Sequence, residues 1–296
     1  MPKAEIDGVN LYYEDTGAGV PVVFVHEFAG DYRSWEPQVR HFSRRYRCIA
    51  YNARGYPPSD VPARVEAYSQ ERAVQDLLGV LEHLGLEQAH IVGFSMGGYA
   101  ALIFGLRYPE RCRSLVIIGC GYGSDADRSK WEHDVEQVAD RFERDGMQRA
   151  ADFYARGPTR VQFQDQDPRG WQEFYEQLRT SSSLGHALTM RGVQKRRPSV
   201  RALEPELRGL TVPTLVMTGD EDEPCLEPGL LMKRAIPSAA LVVMPRCGHT
   251  VNLEAPDEFN RHVGDFLARV DAGRWTQRNP ASLSASAILP PGEEGG

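Results

Sequence analysis

Apolar runs and segments of helical periodicity alternate along most of the chain. Short apolar runs bounded by polar or turn residues are typical of buried parallel strands. Between them, apolar residues recur at the three- and four-residue spacing of one helix face. This alternation predicts an α/β fold, with a doubly wound, mostly parallel sheet and right-handed crossovers. The predicted strands lie within PVVFVH (21–26), YRCIAYN (46–52), AHIVGF (89–94), RSLVIIGC (113–120), VPTLVMTGDED (212–222) and ALVVMPRCGH (240–249).

Turn and capping residues mark where several of these elements begin and end. Asp7 and Gly8 form a turn dipeptide beside a β-rich stretch, which predicts an N-terminal hairpin. Ser69 can cap a helix whose apolar residues share one face, and Gly85 ends that helix. Residues 256–270 predict a last amphipathic helix.

The rhythm of strand and helix breaks between residues 122 and 200. This segment is polar, poor in strand-like runs and rich in aromatic residues, several of which fall at helical spacing. We interpret residues 122–200 as a helical cap over one end of the sheet, and residues 1–121 and 201–271 as the core. The stretch NPASLSASAILPPGEEGG (279–296) is small, polar and rich in proline and glycine, and we interpret residues 272–296 as a disordered tail.

Composition and charge narrow the class of protein. Apolar residues make up 41% of the 296 residues, enough for a sizeable core. A formal net charge of -7 argues against nucleic acids and anionic membranes as partners. No apolar stretch reaches the roughly 20 residues that span a bilayer, and the N-terminus lacks a signal-peptide pattern. The expectation is therefore a soluble cytoplasmic protein of unknown oligomeric state.

One turn stands out because small residues surround a hydroxyl. The sequence GFSMGG places Ser95 between Gly93 and Gly97, directly after a predicted strand and before a predicted helix. Glycine is favoured where φ is positive or where another segment approaches closely. The turn is either an ordinary glycine-rich connection with a serine N-cap or a nucleophile elbow that exposes the serine oxygen.

The later strands supply an acid and a base in a suitable order. An activated serine needs a base to take its proton, and the base needs an acid to hold its tautomer. Asp220 and Asp222 follow one predicted strand, and His249 follows the next. In α/β sheets, the carboxyl ends of the strands meet at one edge, where ligands bind. Asp125, after an earlier strand, is a more distant candidate for the acid.

With these motifs in place, the chain resembles the α/β-hydrolase superfamily, in its capped serine esterase-like branch. The resemblance covers residues 5 to about 270 and rests on HEFAG, GFSMGG, GDEDEP and GHTVNLEAP. It implies that Ser95 is the nucleophile, His249 the general base and acid, and Asp222, favoured over Asp220, the residue that orients His249. It also implies an oxyanion hole formed by the backbone N–H groups of Phe28 and Met96.

Neither a metal nor a cofactor is implied. The five cysteines are scattered and form no Cys-x-x-Cys pair, so a disulfide framework or a zinc site is not expected. Cys247 lies two residues from His249, and we interpret it as a packing residue in a tight loop.

The chain departs from the family pattern in two loops that we expect to be neighbours. Glu27 stands where the family commonly has glycine, so it must accept the backbone angles of that glycine; Asn52 stands where aspartate is frequent. Our hypothesis is that Glu27 replaces the missing acid, with Arg54 as its partner. The alternative is a carboxylate at the pocket rim that repels anionic substrates or steers amines. The basic run 194–201 is either a solvated hinge or, if it faces the pocket, a holder of a substrate carboxylate.

These observations predict a serine hydrolase that cleaves a small or medium, apolar or aromatic carboxylic ester or lactone through an acyl-enzyme on Ser95. The same residues would serve a carbon–carbon bond hydrolase or a cofactor-free perhydrolase or haloperoxidase. A hydrolase-fold receptor, in which the pocket binds a ligand without sustained turnover, is the alternative outside enzymes.

Overall fold

The computed structural model describes residues 2–125 and 127–283. Within them, eight strands form one sheet in the order β1-β2-β4-β3-β5-β6-β7-β8. The strands are β1 (Lys3–Ile6), β2 (Val9–Gly17), β3 (Pro21–Val25), β4 (Arg47–Tyr51), β5 (Ala89–Phe94), β6 (Cys112–Ile118), β7 (Thr214–Gly219) and β8 (Ala239–Met244).

Strands β3 to β8 run parallel to one another, and β2 is antiparallel to both of its neighbours. β1 and β2 form an antiparallel hairpin, and β2 continues antiparallel along β4. The hairpin turn places Asp7 at φ 49° and Gly8 at φ 74°, the left-handed angles that a tight two-residue turn requires. The predicted α/β class and mostly parallel sheet are confirmed.

Helices connect the strands and cover the sheet. They are α1 (Glu36–Phe42), α2 (Gln70–His83), α3 (Met96–Arg107), α4 (Ser129–Tyr154), α5 (Val161–Gln166), α6 (Pro168–Arg179), α7 (Ser183–Thr189), α8 (Glu204–Leu207), α9 (Glu223–Ala235), α10 (Val251–Glu254) and α11 (Pro256–Asp271). The Ser69 hydroxyl accepts the Arg72 N–H and so caps α2, as predicted. Among the described residues, no helix combines the length and the apolar character needed to cross a bilayer.

Alternate side chains of each strand supply two separate cores. Val23 and Val25 of β3 pack with α2 and α3, whereas Val22 and Phe24 pack with α1 and α11. Successive side chains of a strand point to opposite faces, so a strand buried on both faces is apolar throughout. This explains why the sequence shows apolar runs rather than alternation.

Helices α4 to α7 lie between β6 and β7, within residues 122–200, which we call the insertion. Gly146 has φ 71° and ψ 167°, so α4 consists of two helical stretches joined by a kink. Side chains of the insertion form a third buried cluster that includes Phe28 and Met96 from the sheet edge. The insertion therefore packs over the loops that follow β3 and β5. Its standing as a separate cap domain stays a prediction.

The first part of the C-terminal tail contacts the core. The ring of Trp275 lies 4.6 Å from that of Phe266, and its Nε1–H donates to the Ser238 carbonyl at 2.7 Å. The Arg278 N–H donates to the Pro237 carbonyl at 3.0 Å. The expectation of disorder from residue 272 is therefore wrong for residues 275–278, because the Trp275 indole packs against an apolar side chain and donates a hydrogen bond. Residues 284–296 lie outside the described residues.

Candidate active site

Ser95 occupies a strained turn between β5 and α3. Its backbone has φ 54° and ψ -109°, in a region that residues with a side chain rarely adopt. A Cβ added to Gly97 would lie 2.1 Å from the Val25 carbonyl oxygen, so only glycine fits there. The Ser95 N–H donates to the Ile118 carbonyl at 2.7 Å, which ties the turn to β6. This geometry is that of a nucleophile elbow rather than an ordinary cap, and the Ser95 side chain caps no helical N–H.

The turn brings Ser95 into contact with His249, and His249 into contact with Asp222. Ser95 Oγ lies 3.0 Å from His249 Nε2, and His249 Nδ1 lies 2.8 Å from Asp222 Oδ2. With Nδ1–H donating to the carboxylate, Nε2 is left as the acceptor of the serine hydroxyl proton. Asp222 is 3% exposed and His249 5% exposed, so water competes little for these hydrogen bonds.

The two other acids stand elsewhere. Asp220 is exposed, and its Oδ1 accepts the Cys247 N–H at 3.3 Å. Asp125 is exposed in the loop after β6. Burial by itself raises the pKa of the Asp222 carboxyl, but the attraction and hydrogen bond of His249 outweigh burial and hold that pKa below its usual range. Asp222 is therefore ionised when His249 gains a proton.

Two backbone N–H groups beside Ser95 have no acceptor. Phe28 follows β3 and Met96 is the first residue of α3; neither amide donates to any acceptor in the stretches 2–125 and 127–283. The first N–H groups of a helix have no intrahelical partner, and the helix dipole adds positive potential there. Phe28 also lines the cavity above Ser95. These amides are available to a developing negative charge.

The loop after β3 is held by His26. Its Nε2 accepts the Ala53 N–H at 3.0 Å, so Nδ1 carries the proton and donates to the Glu27 carbonyl at 2.7 Å. Burial lowers the pKa of His26, which keeps the ring neutral for both bonds. The contact with Ala53 confirms that the loops after β3 and β4 are neighbours. The left-handed backbone of the loop falls on Ala29, at φ 71°, and not on Glu27.

Glu27 corrects two expectations from the sequence. Its carboxylate is 1% exposed and does not border the cavity, so it is not a rim group. Its partner is Arg160 of the insertion, with Nη2 3.7 Å from Oε1, whereas Arg54 pairs with Asp76. The Ser34 hydroxyl lies 3.2 Å from the same oxygen. The sequence of the two loops does not reveal this partner, because Arg160 belongs to the insertion, which is distant in the chain.

A cavity of about 240 Å³ opens above Ser95 and His249. Most of its wall is apolar or aromatic, and helix α4 supplies a large share of it. Of the insertion aromatics noted in the sequence, Trp131, Phe153 and Tyr154 border the cavity, whereas Phe142, Phe163, Trp171 and Phe174 are buried in packing. The complete lining is Phe28, Ser95, Tyr122, Trp131, Asp134, Val135, Val138, Phe153, Tyr154, Gly157, Pro158, Thr159, Met190, Gln194, Arg197 and His249.

Two buried arginines near this site escaped assignment from the sequence. Arg160 also donates from Nη2 towards the Phe28 carbonyl at 3.5 Å, and no local motif marks it. Arg197 borders the cavity and is 3% exposed, whereas its neighbour Arg196 is exposed. The basic run thus contains one solvated and one buried arginine, and no local signal in the sequence separates the two.

A family model described as the alpha/beta hydrolase fold matches residues 20–256. A 2-hydroxymuconate semialdehyde hydrolase from Pseudomonas putida is 30% identical over 287 residues, which cover 90% of this chain and 93% of the relative. The 3-oxoadipate enol-lactonase 1 of Acinetobacter baylyi is 27% identical, over 84% of this chain and 89% of the relative.

Solved structures give the same architecture. A thermophilic esterase from Thermogutta terrifontis superposes with a TM-score of 0.80 at 28% identity, covering 91% of this chain and 98% of the esterase. A bromoperoxidase from Bacillus anthracis superposes with a TM-score of 0.79 at 25% identity, covering 90% of this chain and 99% of that chain. Similar folds at this level of identity carry more than one reaction.

Proposed function

The chain belongs to the α/β-hydrolase family, and from that premise we propose that it is a serine hydrolase that cleaves a small or medium, mostly apolar carboxylic ester or lactone. The observation that carries the proposal is the continuous contact from Asp222 through His249 to Ser95, beneath an apolar cavity. The site in this proposal consists of these three side chains and the amides of Phe28 and Met96. A cytoplasmic location stays a prediction from the sequence.

In the proposed reaction, His249 Nε2 takes the hydroxyl proton as Ser95 Oγ attacks the substrate carbonyl. Asp222 stabilises the imidazolium that forms, and the Phe28 and Met96 N–H groups receive the negative charge on the carbonyl oxygen. His249 then gives its proton to the leaving alcohol, and an acyl-enzyme remains. Water activated by His249 releases the acid in a second cycle of the same steps.

The apolar lining of the cavity supports an apolar or aromatic group on the substrate. Trp131, Val135 and Val138 on α4 contribute to that lining, together with Phe28. Pockets lined by such side chains bind by removing apolar surface from water, and a few polar groups fix the orientation. Tyr122 packs against His249 with ring centroids 5.2 Å apart, which shields the base from solvent.

Carbon–carbon bond hydrolysis is the second candidate, because a relative at 30% identity is named for a semialdehyde hydrolase. The same serine, histidine and amides would serve that reaction. The bromoperoxidase neighbour supports perhydrolysis as a further candidate reaction. A receptor with the same pocket would hydrolyse its ligand once or extremely slowly.

Hydrolysis of p-nitrophenyl and naphthyl esters from acetate to decanoate by the purified full chain tests the proposal. We expect multiple turnovers, a preference among acyl chains, and a loss of at least about 10³-fold in kcat for Ser95→Ala. Ser124→Ala is the matched control, because Ser124 is buried nearby but its hydroxyl contacts Tyr99 and not His249.

Absence of turnover from folded wild-type protein across the panel would contradict a general esterase. In that case vinylogous 1,5-diketones probe carbon–carbon cleavage directly. Turnover that survives Ser95→Ala would remove Ser95 as the nucleophile, whatever the substrate.

A further inference from the structure

Arg197 is a buried cation with unused donors in the wall of the cavity. Its Nη2 donates to the Tyr122 carbonyl at 2.9 Å, whereas Nε and Nη1 are buried and have no hydrogen-bond partner within residues 2–125 and 127–283. The guanidinium lies 3.9 Å from the ring centroid of Tyr99 and 5.3 Å from that of Trp131. Leaving charged donors unpaired away from water costs free energy, so such groups normally have a partner.

Arg197 also lacks a counter-charge. Of the three buried arginines in the described part of the chain, Arg54 pairs with Asp76 and Arg160 pairs with Glu27. No carboxylate among residues 2–125 and 127–283 lies within 4.0 Å of the Arg197 guanidinium. A buried charge without an opposite charge lowers the stability of the fold. A molecule that enters the cavity could supply the missing negative charge.

The neighbours of Arg197 reinforce this need. Arg128 donates from Nη1 to the Arg197 carbonyl at 2.7 Å, which places a second cation close by. Asp134, the acid in the cavity lining, forms an ion pair with Lys130. Gln194 is 4% exposed and also lines the cavity, as a neutral polar group. The cavity therefore has an apolar wall with one positively charged, hydrogen-bond-donating patch.

We propose that Arg197 binds an anionic group of the substrate, and that the substrate is an ester or lactone that also carries a carboxylate. This inference rests on the proposed function, since it assigns the substrate class of the same site. A carboxylate accepts paired N–H donors of a guanidinium, and such charge-assisted bonds are among the stronger ones in proteins. Bound there, it would satisfy Nε and Nη1 and neutralise the buried charge.

A purely structural arginine is the competing explanation. The bond to Tyr122 and the stacking on Tyr99 would serve that role, as an arginine often packs on aromatic rings. They use one nitrogen and the π-face, and they leave the two other nitrogens without acceptors among the described residues, in a side chain that borders the cavity. A structural role predicts no difference between charged and neutral substrates of equal shape, which makes the two explanations separable.

The test compares two esters that differ only at the far end of the acyl chain: mono-p-nitrophenyl pimelate, which ends in a carboxylate, and p-nitrophenyl heptanoate, which ends in a methyl group. We expect wild-type protein to have at least a tenfold higher kcat/KM for the pimelate. Arg197→Gln should lower the pimelate to heptanoate ratio by about 10- to 100-fold, the range of a charge-assisted hydrogen bond. Arg197→Lys should retain part of the ratio.

Arg196→Gln is the matched control, because it removes the same charge from the adjacent, exposed residue. It should keep the wild-type ratio, which separates a local contact from a general loss of positive charge. Circular dichroism and thermal unfolding show whether each variant folds. If Arg197→Gln does not fold, the wild-type ratio still decides, since a wild-type preference for the heptanoate overturns the proposal.

Calorimetry on Ser95→Ala tests the anion site without any turnover. Monomethyl pimelate carries one carboxylate and dimethyl pimelate none, and we expect at least tenfold tighter binding of the first. Equal binding of the two overturns the assignment of Arg197. Preferential binding of the monoester, combined with no hydrolysis of any ester by wild type, would support Arg197 while contradicting the ester hydrolase itself.

Discussion

At the scale of single residues, the site depends on which acid reaches His249. Asp222 directly precedes α9, at the end of the loop after β7, and its carboxylate contacts His249 Nδ1. Asp220, two residues earlier, stays at the surface and holds the Cys247 N–H instead. The two carboxylates therefore differ in role although they share a loop and a charge.

Asp222→Asn should lower kcat by about 10³- to 10⁴-fold, whereas Asp220→Asn should change it less than threefold. An amide at residue 222 can present its NH₂ group to Nδ1 and so favour the wrong imidazole tautomer, which leaves Nε2 unable to accept the serine proton. Steady-state hydrolysis of the best ester from the panel is the measurement. Equal losses in the two variants would mean that either acid can hold His249.

At the scale of elements, Asp271 fastens the last helix to the sheet. The carboxylate ends α11 and receives the His90 ring at 3.1 Å, Arg113 Nη2 at 3.1 Å and the Tyr46 hydroxyl at 3.0 Å. The hydrogen bond of His90 is the largest of the effects that lower the pKa of Asp271 to about 2, and Arg113 and Tyr46 add to it against the opposing effect of burial. An acid at a helix C-terminus faces an unfavourable dipole, so these partners offset that cost.

The lowered pKa makes this attachment sensitive to acid. The carboxyl group of an unfolded chain titrates near 4, so its ionised form stabilises the fold above that pH, and the contribution is lost as pH falls towards 2. Asp271→Asn should lower the free energy of unfolding at pH 7 by roughly 1–2 kcal/mol, since the partly exposed site is screened. The difference from wild type should shrink below pH 4. Urea unfolding at several pH values measures it.

Asp265→Asn on the same helix is the control, because Asp265 is exposed. Its change should stay within about 0.5 kcal/mol at every pH. A constant difference between Asp271→Asn and wild type from pH 7 down to pH 3 would show that the carboxylate acts through packing and not through its charge.

At the scale of the whole molecule, Glu27 and Arg160 join the sheet to the insertion. Both side chains are 1% exposed, and they meet at the loop after β3, whose Phe28 amide has no acceptor in the described part of the chain. The Arg160 guanidinium also lies over Phe174 at 4.8 Å and bonds the Thr159 carbonyl at 3.0 Å. The pair thus fixes the position of the insertion relative to the loop after β3.

Arg160→Met should lower the free energy of unfolding by roughly 3 kcal/mol, because it leaves the Glu27 carboxylate buried without its cation. Adding Glu27→Gln should recover part of that loss, with a coupling of at least about 1 kcal/mol in a double-mutant cycle. Arg169→Met, which removes an arginine that is 92% exposed, should change stability by less than about 0.5 kcal/mol. Additive effects of the two core changes would contradict a direct pairing.

Much of this architecture is predictable because it is encoded locally. The strands are apolar throughout since both faces of the sheet are covered, and the glycines at 93 and 97 mark places where neighbouring atoms lie too close for a Cβ. Asp222 and His249 could be predicted to lie close together because they follow neighbouring parallel strands, whose carboxyl ends share one edge of the sheet. Each of these inferences needs only a short stretch of sequence and the geometry of a sheet.

The partners of buried charges are not encoded locally. Arg160 reaches a loop 132 residues earlier in the chain, and its choice of Glu27 depends on how the insertion docks. Likewise, Arg196 and Arg197 are adjacent residues of the same type, and only the packing of the insertion determines which of them is buried. The hydrogen bond from the Trp275 indole to the Ser238 carbonyl also depends on how the tail docks. Tertiary docking, and not propensity, makes these contacts.

The spacing of Ser95 and His249 has a consequence during synthesis. The two side chains that touch at 3.0 Å are 154 residues apart, and β7 and β8 must join the sheet before His249 is in place. Chains are made from the N-terminus, and N-terminal parts can organise first. Under the proposed function, a nascent chain therefore carries Ser95 without its base until residue 249 has left the ribosome. Ester hydrolysis would then begin only when β7 and β8 have completed the sheet.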